Sequence, residues 1–202
     1  MTTWGIVVAA GRGTRFGRAK HELRLNGRPL WEWARRSLYE GGVSDVVVVG
    51  PVPGGIPGGD RRRDSVAAGL ALIPESVAVV VVHDAARPLA SADLVGRVLE
   101  RLAVGDVAGV VPGIQVRDTL KRIEGDRVVA TMDRDTLISV QTPQAFLVAA
   151  LRAAHAADDE DASDDAMLLE RAGEAVAWVE GDPGNLKVTY PDDLRVLEAM
   201  VR

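Results

Sequence analysis

Residues 9–23, AAGRGTRFGRAKHEL, place three glycines and four Arg or Lys side chains directly after the apolar run Ile6-Val7-Val8. Glycines let backbone N–H groups approach a ligand without a Cβ in the way, and cations beside them suit an anion. The chemistry implied is phosphate binding. Two familiar phosphate loops are excluded by spacing. The dinucleotide fingerprint requires glycine where this chain has Phe16, and no register supplies the Walker A sequence. The spacing is instead Gly11-x-Gly13-x-Arg15-x-Gly17 followed by Lys20, so side chains as well as backbone carry positive charge. An ordinary βα turn with solvated arginines is the structural alternative.

Four further stretches carry polar groups in suggestive places. GGDRRRDSVAAGL sets Gly58-Gly59-Asp60 and Ser65 ahead of a helix, and VVVVHDAARP puts His83, Asp84 and Arg87 where an apolar run ends. VQTPQAF contains Thr142, and GDPGNLKVT holds Lys187 after a Gly-rich turn. An Asp84–Arg87 ion pair is the structural alternative for those two residues. Three histidines (His21, His83, His155) and no cysteine argue against a zinc centre, so His83 is expected to be a hydrogen-bonded packing residue. The acidic run from Asp158 to Asp165 is expected to be a solvated loop, with Ser163 capping a helix whose first turn carries Asp164 and Asp165.

These residues need a scaffold that gathers strand ends. Ile6-Val7-Val8, Val46 to Val49, Val77 to Val82 and Val107 to Val111 are continuous apolar runs suited to strands buried on both faces. Leu30 to Tyr39, Ser65 to Ile73 and Ala92 to Leu102 carry apolar residues at helical spacing. This alternation predicts an α/β domain with a mostly parallel sheet and helices on both faces. In such sheets ligands bind beyond the carboxyl ends of the strands, where the opening loop lies. Residues 114–141 break the pattern with two alternating stretches around Glu124-Gly125-Asp126, read as an inserted β-hairpin arm. Helices are expected at Phe146 to Ala156 and Asp164 to Ala172, then a strand at Ala175 to Val179 and a helix from Pro191.

The 202 residues are read as one domain, with 47% hydrophobic content to fill a core. A net charge of −5 argues against bulk electrostatic binding of nucleic acid and makes the basic loop a local patch, which suits a small phosphorylated ligand. The start MTTWGIVVAAGRG lacks the marks of a signal peptide or a membrane span, and the absence of cysteine fits a reducing compartment. The expected location is cytoplasmic, with no membrane partner.

Taken in order, AAGRGTRFG, GGDRRRDSV, HDAARP, VRDTLKR, TPQAF and NLKVT resemble the 2-C-methyl-D-erythritol 4-phosphate cytidylyltransferases of the non-mevalonate isoprenoid pathway. The resemblance implies a glycosyltransferase-A-like (Rossmann-like) fold. It also implies CTP as nucleotide, Mg²⁺ or another divalent cation, pyrophosphate as product, and a homodimer whose β-arms complete each other's polyol-phosphate pockets. By the same resemblance, Ala9, Ala10, Gly11 and Gly13, with Gly59, Asp60 and Ser65, hold the nucleotide. Asp84 lies near the ribose, the metal and the incoming alcohol, and Arg87, Thr119, Arg134, Thr142 and Lys187 bind the polyol phosphate.

The chemistry suits such residues. A phosphate monoester attacking the α-phosphorus of CTP needs little acid–base help but must approach another anion. Arg15, Lys20 and Lys187 are the cations expected to neutralise that charge. The chain departs from the family in carrying Ala19-Lys20-His21 where Pro-Lys-Gln is common, and in a short Gly50–Gly59 connection expected to loosen base recognition. A ribitol-phosphate cytidylyltransferase, a molybdopterin guanylyltransferase and a non-catalytic nucleotide-binding regulatory protein are the alternatives.

Overall fold

Alternation along the first strand explains the layering. In the computed structural model, which describes residues 2–11, 16, 22–157 and 159–201, β1 (Thr3–Val8) sends Ile6 to one face of the sheet and Val7 to the other. The short strands β2 (Arg24–Leu25) and β3 (Arg28–Pro29) lead into α1 (Leu30–Glu40), and β4 (Asp45–Val49) then pairs parallel to β1. After α2 (Arg62–Leu70), β5 (Val79–Asp84) pairs parallel on the other side of β1. The β1-to-β4 and β4-to-β5 connections thus run in opposite directions across the sheet, which opens a crevice at the carboxyl end of β1.

The chain continues through α3 (Ala92–Ala103) to β6 (Gly109–Gln115), then into a separate hairpin of β7 (Lys121–Glu124) and β8 (Arg127–Thr131). It returns through β9 (Ile138–Val140) and β10 (Gln144–Leu147), followed by α4 (Val148–Ala157), α5 (Asp165–Arg171), β11 (Val176–Glu180) and α6 (Pro191–Met200). The sheet order is β11-β6-β10-β5-β1-β4, with β9 also on β6. Its pairings are parallel except for those of β9 and β10. Helices α2, α4 and α5 pack on the Ile6 face through Val66, Leu70, Leu151, Leu168 and Leu169. Helices α1 and α3 pack on the Val7 face through Trp31, Ala34, Leu38, Val95, Val98 and Leu102. The buried valine and leucine side chains among them each contribute about 1.5–3 kcal/mol of transfer free energy. Helix α6 closes a third apolar cluster with Leu197 against Leu23, Leu25 and Val188.

The α/β architecture and the hairpin agree with the sequence reading, and several boundaries do not. Phe146, expected to open a helix, lies in β10 with no exposure, and the helix starts at Val148. Helix α2 starts at Arg62, three residues ahead of Ser65, because Asp64 accepts from the Arg61 N–H and secures the first turn. The arm is narrower than 114–141. Ile114 and Gln115 belong to β6 and pair with Ser139 and Ile138, so both legs are part of the main sheet. The cap of α5 is Asp164, whose carboxylate accepts from the Met167 N–H at 3.1 Å, rather than Ser163.

Candidate active site

Glycines shape one side of the crevice. The segment between β4 and α2 folds back on the end of β1, where the Ala9 N–H donates to Val49 O at 2.7 Å. A Cβ on Gly58 would lie 2.4 Å from Ala10 Cβ and 2.7 Å from Ser65 Oγ, and one on Gly59 2.3 Å from Asp64 Cβ. Only glycine permits this approach. The Gly59 N–H donates to the buried Ser65 hydroxyl at 3.2 Å. The result is a cleft of about 550 Å³ lined by Ala10, Gly50, Val52, Gly58, Gly59 and Asp60, among others. The short Gly50–Gly59 connection keeps one bridge to the sheet, Val49 with Ile56. Gly11 lies beside it, exposed; Gly13, Arg15 and Lys20, with Ala19 and His21, lie outside the described residues.

The acidic centre stands at the end of β5. Asp84 Oδ1 accepts from Arg62 Nε at 3.1 Å, and Oδ2 accepts from Lys187 Nζ at 2.7 Å. The alternative of an Asp84–Arg87 ion pair is therefore not what forms. Arg87 donates instead to Asn185 O at 2.8 Å and Val140 O at 3.3 Å. Burial alone would raise the pKa of Asp84, but the charges of Arg62 and Lys187, the Lys187 hydrogen bond and the Arg87 charge hold it well below the usual carboxylate range. Burial lowers the Arg87 pKa, against the opposing pull of Asp84. The Lys187 side chain remains 41% exposed, so its ammonium can present its other N–H donors to an anion.

Behind Asp84 runs a second carboxylate. Arg62 Nη1 donates to Asp165 Oδ2 at 2.6 Å, and His155 Nε2 lies 3.3 Å from Asp165 Oδ1. Asp159, Glu160 and Asp161 are exposed, as expected of a solvated loop, but Asp165 in the first turn of α5 has no exposure. Burial opposes its ionisation, and the Arg62 charge with the His155 hydrogen bond prevails to lower its pKa. Arg61 and Arg63 reach the same segment, at Asp159 Oδ1 (2.7 Å) and Glu160 O (2.6 Å) respectively.

Thr142 and Lys187 are set by a polar knot. Between β9 and β10, Gln141 donates to Asp182 O at 2.8 Å and accepts from the Asp182 N–H at 3.1 Å, while Asn185 Nδ2 donates to Thr142 O at 2.9 Å. These bonds, with the Val188 N–H on Ala86 O, fix the loop that carries Lys187. The Thr142 hydroxyl lies 2.8 Å from His83 Nδ1 and accepts from the Asp84 N–H at 3.0 Å. Thr142 and His83 are both buried. Burial pushes the His83 pKa down to about 4, so the ring is neutral, in keeping with a packing role.

Among the described residues, Thr119 and Arg134 are the predicted site residues that this chain does not bring to the cleft. Thr119 is exposed on the arm, and Arg134 donates to Arg117 O at 2.6 Å. Arg134 lines a separate groove of about 1260 Å³ between the arm's root and Trp178 of β11. Sequence reasoning missed Arg62, Asp165, Gln141 and Asn185. Three of them sit inside the stretches GGDRRRDSV, VQTPQAF and GDPGNLKVT, and local spacing gave no sign of their distant partners.

Among the described residues no group of three or more His, Asp or Glu side chains could hold a metal ion, and no helix is long and apolar enough to cross a membrane. A family model described as 2-C-methyl-D-erythritol 4-phosphate cytidylyltransferase matches residues 52–202. The chain is 41% identical, over 98% of its length, to a protein of Solidesulfovibrio magneticus named "Bifunctional enzyme IspD/IspF", of which it spans 56%. It thus spans little more than half the length of such relatives. It is also 41% identical to the 2-C-methyl-D-erythritol 4-phosphate cytidylyltransferase of Nocardia farcinica, covering 97% of this chain and 92% of that one. The crystal structure of the Thermus thermophilus protein of that name superposes with a TM-score of 0.85 at 38% identity, covering all of both chains.

Proposed function

Because the chain belongs to the 2-C-methyl-D-erythritol 4-phosphate cytidylyltransferase family, we propose that it transfers CMP from CTP to 2-C-methyl-D-erythritol 4-phosphate, for isoprenoid precursor synthesis. A phosphate oxygen of the polyol phosphate forms a bond to the α-phosphorus, the bond from that phosphorus to the bridging oxygen breaks, and pyrophosphate leaves. The observation that carries the reading is the Lys187–Asp84–Arg62 array at a strand end beside a glycine-built cleft. Two anions approach each other in this reaction, and the protein's task is to cancel their repulsion. Arg62 and Lys187 balance Asp84 and Asp165 in charge, so Arg87 leaves a positive surplus. Lys187 is proposed to neutralise the phosphates, and Arg15 and Lys20 are proposed to serve the triphosphate with it.

The nucleotide is assigned to the cleft at Ala9, Ala10, Gly11, Gly59, Asp60 and Ser65, with its sugar toward Asp84, and the family resemblance adds Gly13. One strand-end carboxylate fits Mg²⁺, or another divalent cation, that takes its other ligands from phosphate and water, and Asp84 is the residue that would hold it. Such an ion would screen the phosphate oxygens. Arg87, Thr119 and Arg134 are assigned to the polyol phosphate. The last two would arrive on the partner's arm in a C₂ homodimer. Support comes from the arm itself, whose Ile123, Val128, Val129 and Met132 are exposed apolar side chains on a two-stranded hairpin, which is marginal in water without something to pack on. A cytoplasmic location, where CTP and sugar phosphates circulate, completes the reading.

The test is pyrophosphate release with CTP and 2-C-methyl-D-erythritol 4-phosphate, run beside ribitol 5-phosphate and beside ATP, GTP and UTP. Turnover with CTP and methylerythritol phosphate in clear preference is expected. Preference for ribitol phosphate or a purine nucleotide reassigns the substrate, and nucleotide binding without turnover leaves a regulatory protein.

A further inference from the structure

Arg62 is held on two edges by carboxylates that come from remote parts of the chain. Its Nε donates to Asp84 and its Nη1 to Asp165, while the buried Nη2 has no hydrogen-bond partner. The plane of the guanidinium is therefore set by those two carboxylates, a geometry that a lysine ammonium does not define. Asp165 in turn is fixed. It is fully buried, its second oxygen faces His155, and the neighbouring Asp164 accepts from Gln144 Nε2 at 2.8 Å, tying the start of α5 to β10.

A buried ion pair is a poor way to gain stability, because desolvation of both charges offsets most of their attraction. What this pair supplies is direction. The structure assigns Asp165 as a positioning residue for cytidylyl transfer. It holds Arg62 so that Arg62 occupies Oδ1 of Asp84 and leaves Oδ2 to Lys187. Asp165 touches no reacting group in this scheme and acts through Arg62. The assignment rests on the reading of Asp84 and Lys187 as part of the reactive cleft.

The experiment is steady-state kinetics of Asp165→Asn, alone and in an Arg62→Gln background, with circular dichroism melts of each protein. Removing the charge while keeping the shape should lower kcat by about tenfold or more, the scale typical of partners that orient a reactive group, with KM for both substrates within about threefold. In the Arg62→Gln background the same change should alter kcat by less than about twofold, since both substitutions break one chain of contacts. Wild-type kcat, a loss expressed only in KM, or an independent further loss in the Arg62→Gln background would overturn the assignment. Should Asp165→Asn not fold, Asp165→Glu keeps the charge but displaces it and is judged by the same criteria. Failure of both to fold makes Asp165 a folding residue and overturns the proposal. Undiminished turnover in Asp84→Asn and Lys187→Ala would instead sink the reading of the cleft, and the assignment with it.

Discussion

Replacing Thr142 by valine separates two roles for its hydroxyl. Valine has nearly the shape of threonine, so no cavity opens and the change is confined to lost hydrogen bonds. Two groups depend on that oxygen, the Asp84 N–H at 3.0 Å and His83 Nδ1 at 2.8 Å, and both residues are buried. The other ring nitrogen of His83 is already without a hydrogen-bond partner, so a change of tautomer brings no relief. Leaving a buried polar group unsatisfied costs about 1–3 kcal/mol, so the pair should cost about 2–6 kcal/mol. For a chain of this size that corresponds to a fall of about 10 °C in melting temperature. Urea unfolding should show the same loss as a lower midpoint at unchanged slope, and Thr142→Ser should recover most of it. If the hydroxyl does this structural work, KM for the polyol phosphate moves less than about threefold. Unchanged stability with a tenfold rise in that KM would refute the argument and place the hydroxyl on the substrate.

Other expectations concern pH, the glycines and the arm. The His83 pKa of about 4 lies below its ordinary 6.5, so the unfolded chain binds more protons between those values. Stability should therefore fall by up to about 3 kcal/mol as pH drops from 6.5 to 4, and urea titrations of His83→Gln should show a flatter slope. Asp84 and Asp165 are likewise shifted down, but from the lower carboxylate value, so their contribution should be lost only below about pH 4, as their carboxylates protonate. Gly58→Ala drives a methyl onto Ala10 and Ser65, and calorimetric titration should show CTP affinity falling about tenfold or more; wild-type affinity would remove this turn from the nucleotide site. Mixing inactive Arg134→Ala and Lys187→Ala proteins should restore activity in about one site per heterodimer if the arm serves the partner's cleft; verified heterodimers without recovery would place both residues in one chain's site.

What the sequence disclosed follows from how local each signal is. Continuous valine runs announced β1, β4, β5 and β6 because burial on both faces requires apolar residues throughout, and α1 and α3 were visible in their spacing. Strand β10 was hidden because Gln144–Leu147 runs without a turn signal into the apolar face of α4. The start of α2 was hidden by its own charges, which read as loop until Asp64 is seen capping it. The strand-end residues Asp84 and Lys187 were legible as chemistry, while their mutual contact was not. Arg62 and Asp165 are 103 positions apart, and no periodicity encodes a bond between them.

The paired legs of the arm bear on how this chain can change over generations. Gly113, Ile114 and Gln115 are laddered to Val140, Ser139 and Ile138, so the excursion leaves and re-enters the sheet through neighbouring strands. Insertions or deletions between those legs alter only the length of a closed loop, and each doubling of loop length costs only about 0.6 kcal/mol. The register of β10, and with it Gln141 and Thr142 beside the cleft, is left where it was. Changes of length in the arm are thus decoupled from the geometry of the cleft a few residues away, which the paired legs hold in register.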